Sequence, residues 1–366
     1  MQLRTLEVDR LRNLKAVRLD LPAGLTLVTG RNGQGKTSLL EAAYLLGTGR
    51  SFRARRLEEL VAWEGGPLRV AGTVARRMGE VRLGVVVDGS VRRLLVDDRE
   101  RDLEGFLGWL DLVALPNERM AVIRGGPDER RRYLDRGLLG LEPGHLKALG
   151  EYRRLLQHRN ALLRSGPGRS AELDSWEERL AVAAGRLHRS RRAYSVKVAA
   201  GLGEVGRALY PSGELLTLRY RPSPDSASKA EPGSYEARLA EALHRGRERD
   251  AAFGYTGAGP HRDDLVMELD GVDLRRFGSS GQVRLAVVAL SLAQLKLLQE
   301  EKGEASLFLM DDFDSDLDDT RTSALAAYLH DGGFQGLVAS SKGDLAARLP
   351  VPLRTIRVDD GTVHAA

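Results

Sequence analysis

The spacing of apolar and polar residues changes twice along the chain. Residues 3–8 and 17–21 read as two short strands around Arg10-Leu11-Arg12-Asn13-Leu14. Leu25-Thr26-Leu27-Val28-Thr29 is a further strand, and residues 36–46 carry apolar side chains at helical spacing. Residues 68–75, 81–87 and 91–96 alternate or run in β-branched residues, with Asp88-Gly89 as a hairpin turn. An antiparallel sheet region is expected there. From about 117 to 250 the period becomes helical, in segments near 128–139, 145–164, 171–209 and 234–249. Ser165-Gly166-Pro167-Gly168 and Pro222-Ser223-Pro224 punctuate them, and residues 222–232 read as an exposed loop. No long heptad array is present, so no extended coiled coil is expected. After about 252 strands return at 265–269, 307–310, 336–340 and 353–358, with helices over 282–299 and 320–329. Short apolar strands alternating with helices imply a buried, mostly parallel sheet. The pattern predicts one α/β domain, residues 1–116 and 252–366, split by a helical insertion over 117–251.

The strand at 25–29 runs into Gly30-Arg31-Asn32-Gly33-Gln34-Gly35-Lys36-Thr37, which fits G-x-x-x-x-G-K-[ST]. Glycines let the backbone curl so that several N–H groups converge on phosphate oxygens. The helix that follows adds its positive dipole end. Lys36 would reach the β- and γ-phosphates of ATP, and the Thr37 hydroxyl would ligate Mg²⁺. A second element answers the first. Leu307-Phe308-Leu309-Met310 is apolar throughout and ends in Asp311-Asp312, at the strand end where open α/β sheets hold ligands. Asp311 would hold Mg²⁺, and Asp312 would orient or deprotonate the attacking water. Most of the chain lies between the two elements, as in cassette ATPases with an inserted lobe. Ser279-Ser280-Gly281-Gln282 opens a helix just before the acidic strand, a Ser-capped anion site by its local chemistry.

Composition narrows the picture only slightly. The chain has 366 residues, no cysteine and a formal net charge of +5. That excludes disulfides and a cysteine-based zinc site. The N-terminus has no apolar core of the kind a signal peptide needs, and the apolar stretch 285–298 is too short to span a bilayer. No membrane association and a cytoplasmic location are expected. Most of the positive charge is arginine. This fits either genome composition or phosphate contact, where the guanidinium fork suits phosphate. Candidate DNA-contacting arginines are Arg50 and Arg53 in a glycine-punctuated loop, Arg130, Arg131 and Arg132, and Arg153, Arg154 and Arg159; Arg186, Arg189, Arg191 and Arg192 cluster in the same insertion. Each group reads either as a solvated, Glu-paired helix face or as a groove tracking phosphates.

Several stretches together resemble the RecF family of bacterial DNA replication and repair ATPases, in the SMC-like group of cassette ATPases. They are Leu11-Arg12-Asn13-Leu14, the phosphate loop, Gly49-Arg50-Ser51-Phe52-Arg53, Arg159-Asn160-Ala161-Leu162, Gly259-Pro260-His261-Arg262-Asp263-Asp264, Ser279-x-Gly281-Gln282 and Asp311-Asp312-Phe313. The resemblance implies a cassette-type head with a helical second domain and an antiparallel β subdomain. It implies ATP held at a homodimer interface, with Lys36, Thr37, Asp311 and Asp312 in one subunit and Ser279 of the other. Arg12 and Asn13 would lie near the adenine, Ser315-Asp316-Leu317-Asp318 would cross the interface, and Glu118 would be the Q-loop acid. Slow hydrolysis would release the dimer from double-stranded or gapped DNA. RecR and RecO would act with it to promote RecA loading. No switch histidine follows Gly336-Leu337-Val338-Ala339; Ser340 or Ser341 stands in its place. A transporter-type cassette subunit is the alternative, disfavoured by the arginine-rich insertion.

Overall fold

The computed structural model describes residues 1–366 except 55, 63–64, 116–119, 143, 166–169, 225–233, 316 and 366. Glu118, Asp316, Trp63 and most of the loop expected at 222–232 therefore lie outside the described residues. The strands are β1 (Gln2–Leu3), β2 (Thr5–Leu11), β3 (Leu14–Asp20), β4 (Leu25–Thr29), β5 (Leu68–Arg76), β6 (Gly79–Asp88), β7 (Val91–Val96), β8 (Arg99–Arg101), β9 (Leu112–Leu115), β10 (Leu216–Arg221), β11 (Asp264–Leu269), β12 (Val272–Asp273), β13 (Leu307–Met310), β14 (Gln335–Ser340), β15 (Leu353–Asp359) and β16 (Thr362–Ala365).

The chain divides into two compact units. The first comprises Met1–Met120, Gly201–Glu214 and Gly278–Ala366, the second Ala121–Ala200 and Leu215–Phe277. Within the first, the order β16-β15-β4-β14-β13-β9 makes a sheet that is parallel apart from the β15–β16 hairpin. Strands β4, β13 and β14 are buried at every position, which is why their sequences are apolar runs rather than alternations. The helix Lys36–Thr48 packs between this sheet and the antiparallel sheet β3-β2-β5-β6-β7-β8, and the two share one core. Strand β9, which the sequence pattern does not predict, closes the acidic edge by pairing with β13 from Leu307↔Leu112 to Met310↔Leu115.

In the second unit the helical reading of 117–250 needs correction between its third and fourth segments. Residues 216–221 form a strand, paired antiparallel with β11 from Leu216↔Leu269 to Arg221↔Asp264. That pairing carries the unit past residue 251 to Phe277, while 201–214 joins the first unit, where Gly201 approaches Ala293. The helix expected over 234–249 is two, Tyr235–Arg245 and Arg247–Phe253, meeting at Gly246. The helix read as 282–299 extends over Ser280–Lys302. At 23 residues and mean hydropathy 1.3 it is long and apolar enough to cross a membrane, contrary to the expectation from 285–298. Its most apolar window is 83% buried within the fold, as a core helix requires.

Candidate nucleotide-binding site

The phosphate loop has the backbone its glycines predict. Gly30 and Gly35 have φ of 147° and 119°, conformations that L side chains rarely adopt. A Cβ at Gly30 would also collide with the Val358 carbonyl of β15. Asn13, from the β2–β3 turn, braces the loop: its Nδ2 donates to the Gly33 carbonyl at 3.0 Å and its Oδ1 accepts from Ser38 at 2.9 Å. The Gln34 side chain accepts from the Asp360 amide at 2.6 Å, tying the loop to the C-terminal hairpin. Lys36 Nζ donates to the carbonyls of Gly30 and Arg31 at 2.7 and 3.0 Å. Burial lowers the Lys36 pKa from its ordinary value, against the pull of Asp311 and Asp312.

The two distant motifs meet. Thr37 Oγ1 donates to Asp311 Oδ2 at 2.7 Å, across 274 residues of chain. Burial raises the Asp311 pKa; the Thr37 hydrogen bond opposes that and neighbouring Asp312 adds to it. Asp312 has φ of 47°, a left-handed conformation uncommon outside glycine and of the kind that collects at functional sites. Its strain is held from the Ser280–Lys302 helix. Buried Arg284 donates through Nη2 to the carbonyls of Asp311 and Asp312 at 3.3 and 3.2 Å. Arg12, Asn13, Lys36, Thr37, Asp311 and Asp312 all line one cavity of about 1380 Å³. A hydroxyl and a carboxylate 2.7 Å apart are the hard oxygen donors that Mg²⁺ takes.

Arg12 is fixed by a bidentate pair with Glu41, at 2.5 and 3.1 Å. Glu41 is fully buried and also accepts from Ser51. The Gly49–Arg53 stretch is thereby built into the site through Ser51, while Arg53 lines the cavity. Asn32 and Gly33 line it as well; Arg31 is exposed and does not. Ser279, Gly281 and Gln282 are not brought to this cavity. Ser279 is exposed at the start of its helix in a complete capping box, its Oγ accepting from the Gln282 amide at 3.2 Å and its own amide donating to Gln282 Oε1 at 2.8 Å. Asp318 caps the next helix through the Arg321 amide.

Two of the arginines proposed for DNA contact are corrected by burial. Arg159 is wholly buried and donates to Glu177, Asp250, Thr256 and the Leu243 carbonyl. Arg130 is buried and bidentate to Asp264. A buried guanidinium already engaged by carboxylates and carbonyls is held inside the fold, away from a phosphate in solvent. Arg191 likewise joins Asp135 to Asp263. Arg131 pairs with Asp128 and Arg132 with Glu129, while Arg50, Arg53, Arg153 and Arg154 are exposed. Gly259–Asp264 is the hub of the second unit rather than a ligand set: Asp263 accepts from Arg191, Tyr220 and the Ser223 amide, and His261 bridges Tyr152 and the Thr256 carbonyl. Sequence reasoning missed Arg284 and Glu41 altogether. Arg284, one of two charged residues in the apolar run 283–298, and Glu41, the one charged residue within 38–46, are the available signals.

A family model described as an AAA domain matches residues 5–63. The DNA replication and repair protein RecF of Myxococcus xanthus is 36% identical over 353 residues, 94% of this chain and 92% of its own length. Its counterpart in Anaeromyxobacter dehalogenans is 38% identical over 342 residues, 90% and 89% of the two chains. A solved structure of the recombination mediator protein RecF with ATP, in the RecFOR pathway, superposes with a TM-score of 0.87 at 30% identity, covering 100% of this chain and 97% of that one. An SMC head domain from Pyrococcus furiosus, 17% identical with a TM-score of 0.59 over 100% and 95% of the chains, shares the fold. The cassette-type ATPase head expected from the sequence is the fold found.

Proposed function

Because the chain belongs to the RecF family of DNA replication and repair proteins, we propose that it is an ATP-gated DNA clamp acting in recombinational repair in the cytoplasm. The observation that carries this is the Thr37–Asp311 hydrogen bond, which joins the phosphate loop to the acidic strand end. Lys36 binds the β- and γ-phosphates of ATP, and Arg12 and Asn13 face its nucleoside end. Thr37 and Asp311 hold Mg²⁺, which supplies charge neutralisation on the phosphate oxygens. Asp312 orients the attacking water; a shorter arm than glutamate holds it less firmly, which makes turnover slow.

The clamp closes when ATP pairs two copies, each site completed by Ser279 of the other. What supports this is that Ser279 is exposed, away from its own cavity, at an ordered helix N-terminus suited to phosphate. The paired copies track duplex phosphates at gapped DNA through exposed arginines, Arg50, Arg53, Arg153 and Arg154 being the candidates. With RecR and RecO the clamp promotes RecA loading. The test is sedimentation of the wild type and Ser279→Arg with ATP and duplex DNA. The wild type should dimerise only with ATP, and the variant should bind ATP yet stay monomeric. A wild type whose association state and duplex affinity ignore ATP would overturn the proposal.

A further inference from the structure

The nucleotide cavity is lined by a lysine that the motifs do not name. Strand β14 lies between β4 and β13, parallel to both, so all three end at the same edge of the sheet. From β4 comes the phosphate loop, and from β13 the Asp311-Asp312 pair. From β14 comes Ser340-Ser341-Lys342, between them. Phe313 donates its amide to the Ala339 carbonyl at 2.8 Å, which locks the exit of β14 to the turn after the acidic pair. Ser341, Lys342 and Asp314 line the same cavity as Lys36 and Thr37.

These residues form a small, ordered unit. Ser340 is fully buried; its Oγ donates to Asp314 Oδ1 at 2.7 Å and accepts from the Lys342 amide at 3.0 Å. Lys342 Nζ then meets Asp314 Oδ2 at 2.9 Å. One carboxylate oxygen is thus spent on fixing the loop and the other on aiming the ammonium. An ammonium has three donors, and Asp314 engages one of them. The Lys342 side chain is about half exposed, at 53%. Asp311, Asp312 and Asp314 line the cavity read as holding a triphosphate, together with Lys36 and Lys342.

We infer that Lys342, aimed by Asp314 and Ser340, is a γ-phosphate-binding residue that lets the site tell ATP from ADP. Asp314 is its positioning residue. The inference rests on the nucleotide site proposed above. A point cation suits this place, because the terminal phosphate carries more charge than any other group of the ligand and is present only in ATP.

The experiment is titration of fluorescent ATP and ADP analogues with Mg²⁺ into the wild type, Lys342→Ala, Lys342→Arg, Asp314→Asn and the Lys342→Ala/Asp314→Asn double variant, with circular dichroism as the folding control. Lys342→Ala should weaken ATP binding about tenfold, as expected for losing one charge-assisted contact, while ADP binding stays within twofold. Lys342→Arg should recover most of the loss. The double variant decides the role. If Lys342 touches phosphate, the tenfold loss persists when Asp314 is neutral. If Lys342 merely shields Asp314, the double variant returns to wild-type affinity and the inference is overturned. An unchanged ATP-to-ADP ratio in Lys342→Ala also overturns it, leaving the nucleotide site intact. A wild type that binds neither nucleotide overturns the site itself.

Discussion

Replacing Arg159 by methionine separates the two meanings an arginine can have in this chain. The side chain is wholly buried and makes hydrogen bonds to Glu177, Asp250, Thr256 and the Leu243 carbonyl. Removing one partner of a buried ion pair typically costs about 3–5 kcal/mol, since the carboxylates left behind stay desolvated. Here the loss falls at the low end. Glu177 keeps Arg247, whose Nη2 lies 2.6 Å from its Oε2, and Asp250 keeps the Gly257 amide at 3.1 Å. About 3 kcal/mol is a large part of the roughly 5–15 kcal/mol by which a domain is stable. With a urea slope of about 3 kcal/mol per molar, the midpoint should fall by roughly 1 M. The chain has three tryptophans, so a Trp63→Phe/Trp109→Phe background leaves Trp176, stacked on His158 in the second unit, as the reporter. The control, Arg153→Ala on the exposed face of the same helix, should move the midpoint within noise and weaken duplex binding instead. An Arg159→Met protein of unchanged midpoint and reduced DNA affinity would refute the reasoning.

Other outcomes follow from the nucleotide site. Arg284→Met should lower the rate of phosphate release about tenfold or more with little change in ATP affinity, because it frees the carbonyls of the strained Asp311–Asp312 turn without touching the phosphate loop; unchanged turnover would show the turn holds itself. Ser279→Asp keeps an N-cap but places a negative charge where phosphate is proposed to dock, so sedimentation should find ATP-dependent pairing lost while thermal stability holds within about 1 kcal/mol. Since burial raises the Asp311 pKa, protons compete with Mg²⁺ from above the usual carboxylate range; Mg²⁺ affinity measured calorimetrically should fall on acidification earlier than for an exposed aspartate. His188 and His261 are each lowered from 6.5 to about 4, chiefly by burial. A base depressed in the folded state makes stability fall as pH drops, here between about 6.5 and about 4, and His188→Phe, which keeps the stack on Tyr235, should flatten that slope in urea titrations at stepped pH.

The parts of the site legible in the sequence were those whose chemistry is local. A glycine loop needs its glycines, and an acidic pair at the end of an apolar strand declares itself. The arginines were not legible, because whether a guanidinium meets solvent or a buried carboxylate is settled by tertiary packing. Arg153 and Arg159 sit on one helix with opposite fates. Strand β10 was hidden by context: Leu216-Thr217-Leu218-Arg219-Tyr220-Arg221 alternates as a strand should, but stands among helices. The roles of Asp314 and Ser51 could not be read at all, since their partners, Lys342 and Glu41, are set by fold and not by spacing.

Both neighbours of β4 in its sheet, β14 and β15, come from residues 335–359. During synthesis, then, the nascent phosphate-loop strand leaves the ribosome with two bare hydrogen-bonding edges and must wait until residues 335–359 have been made. The second unit, drawn from residues 121–277, has all its segments long before that. Such a delay exposes an apolar, all-buried strand to wrong pairings. It also means that a prematurely terminated product lacks the strands that flank the loop, so a stalled or truncated translation product could not pose as a working copy.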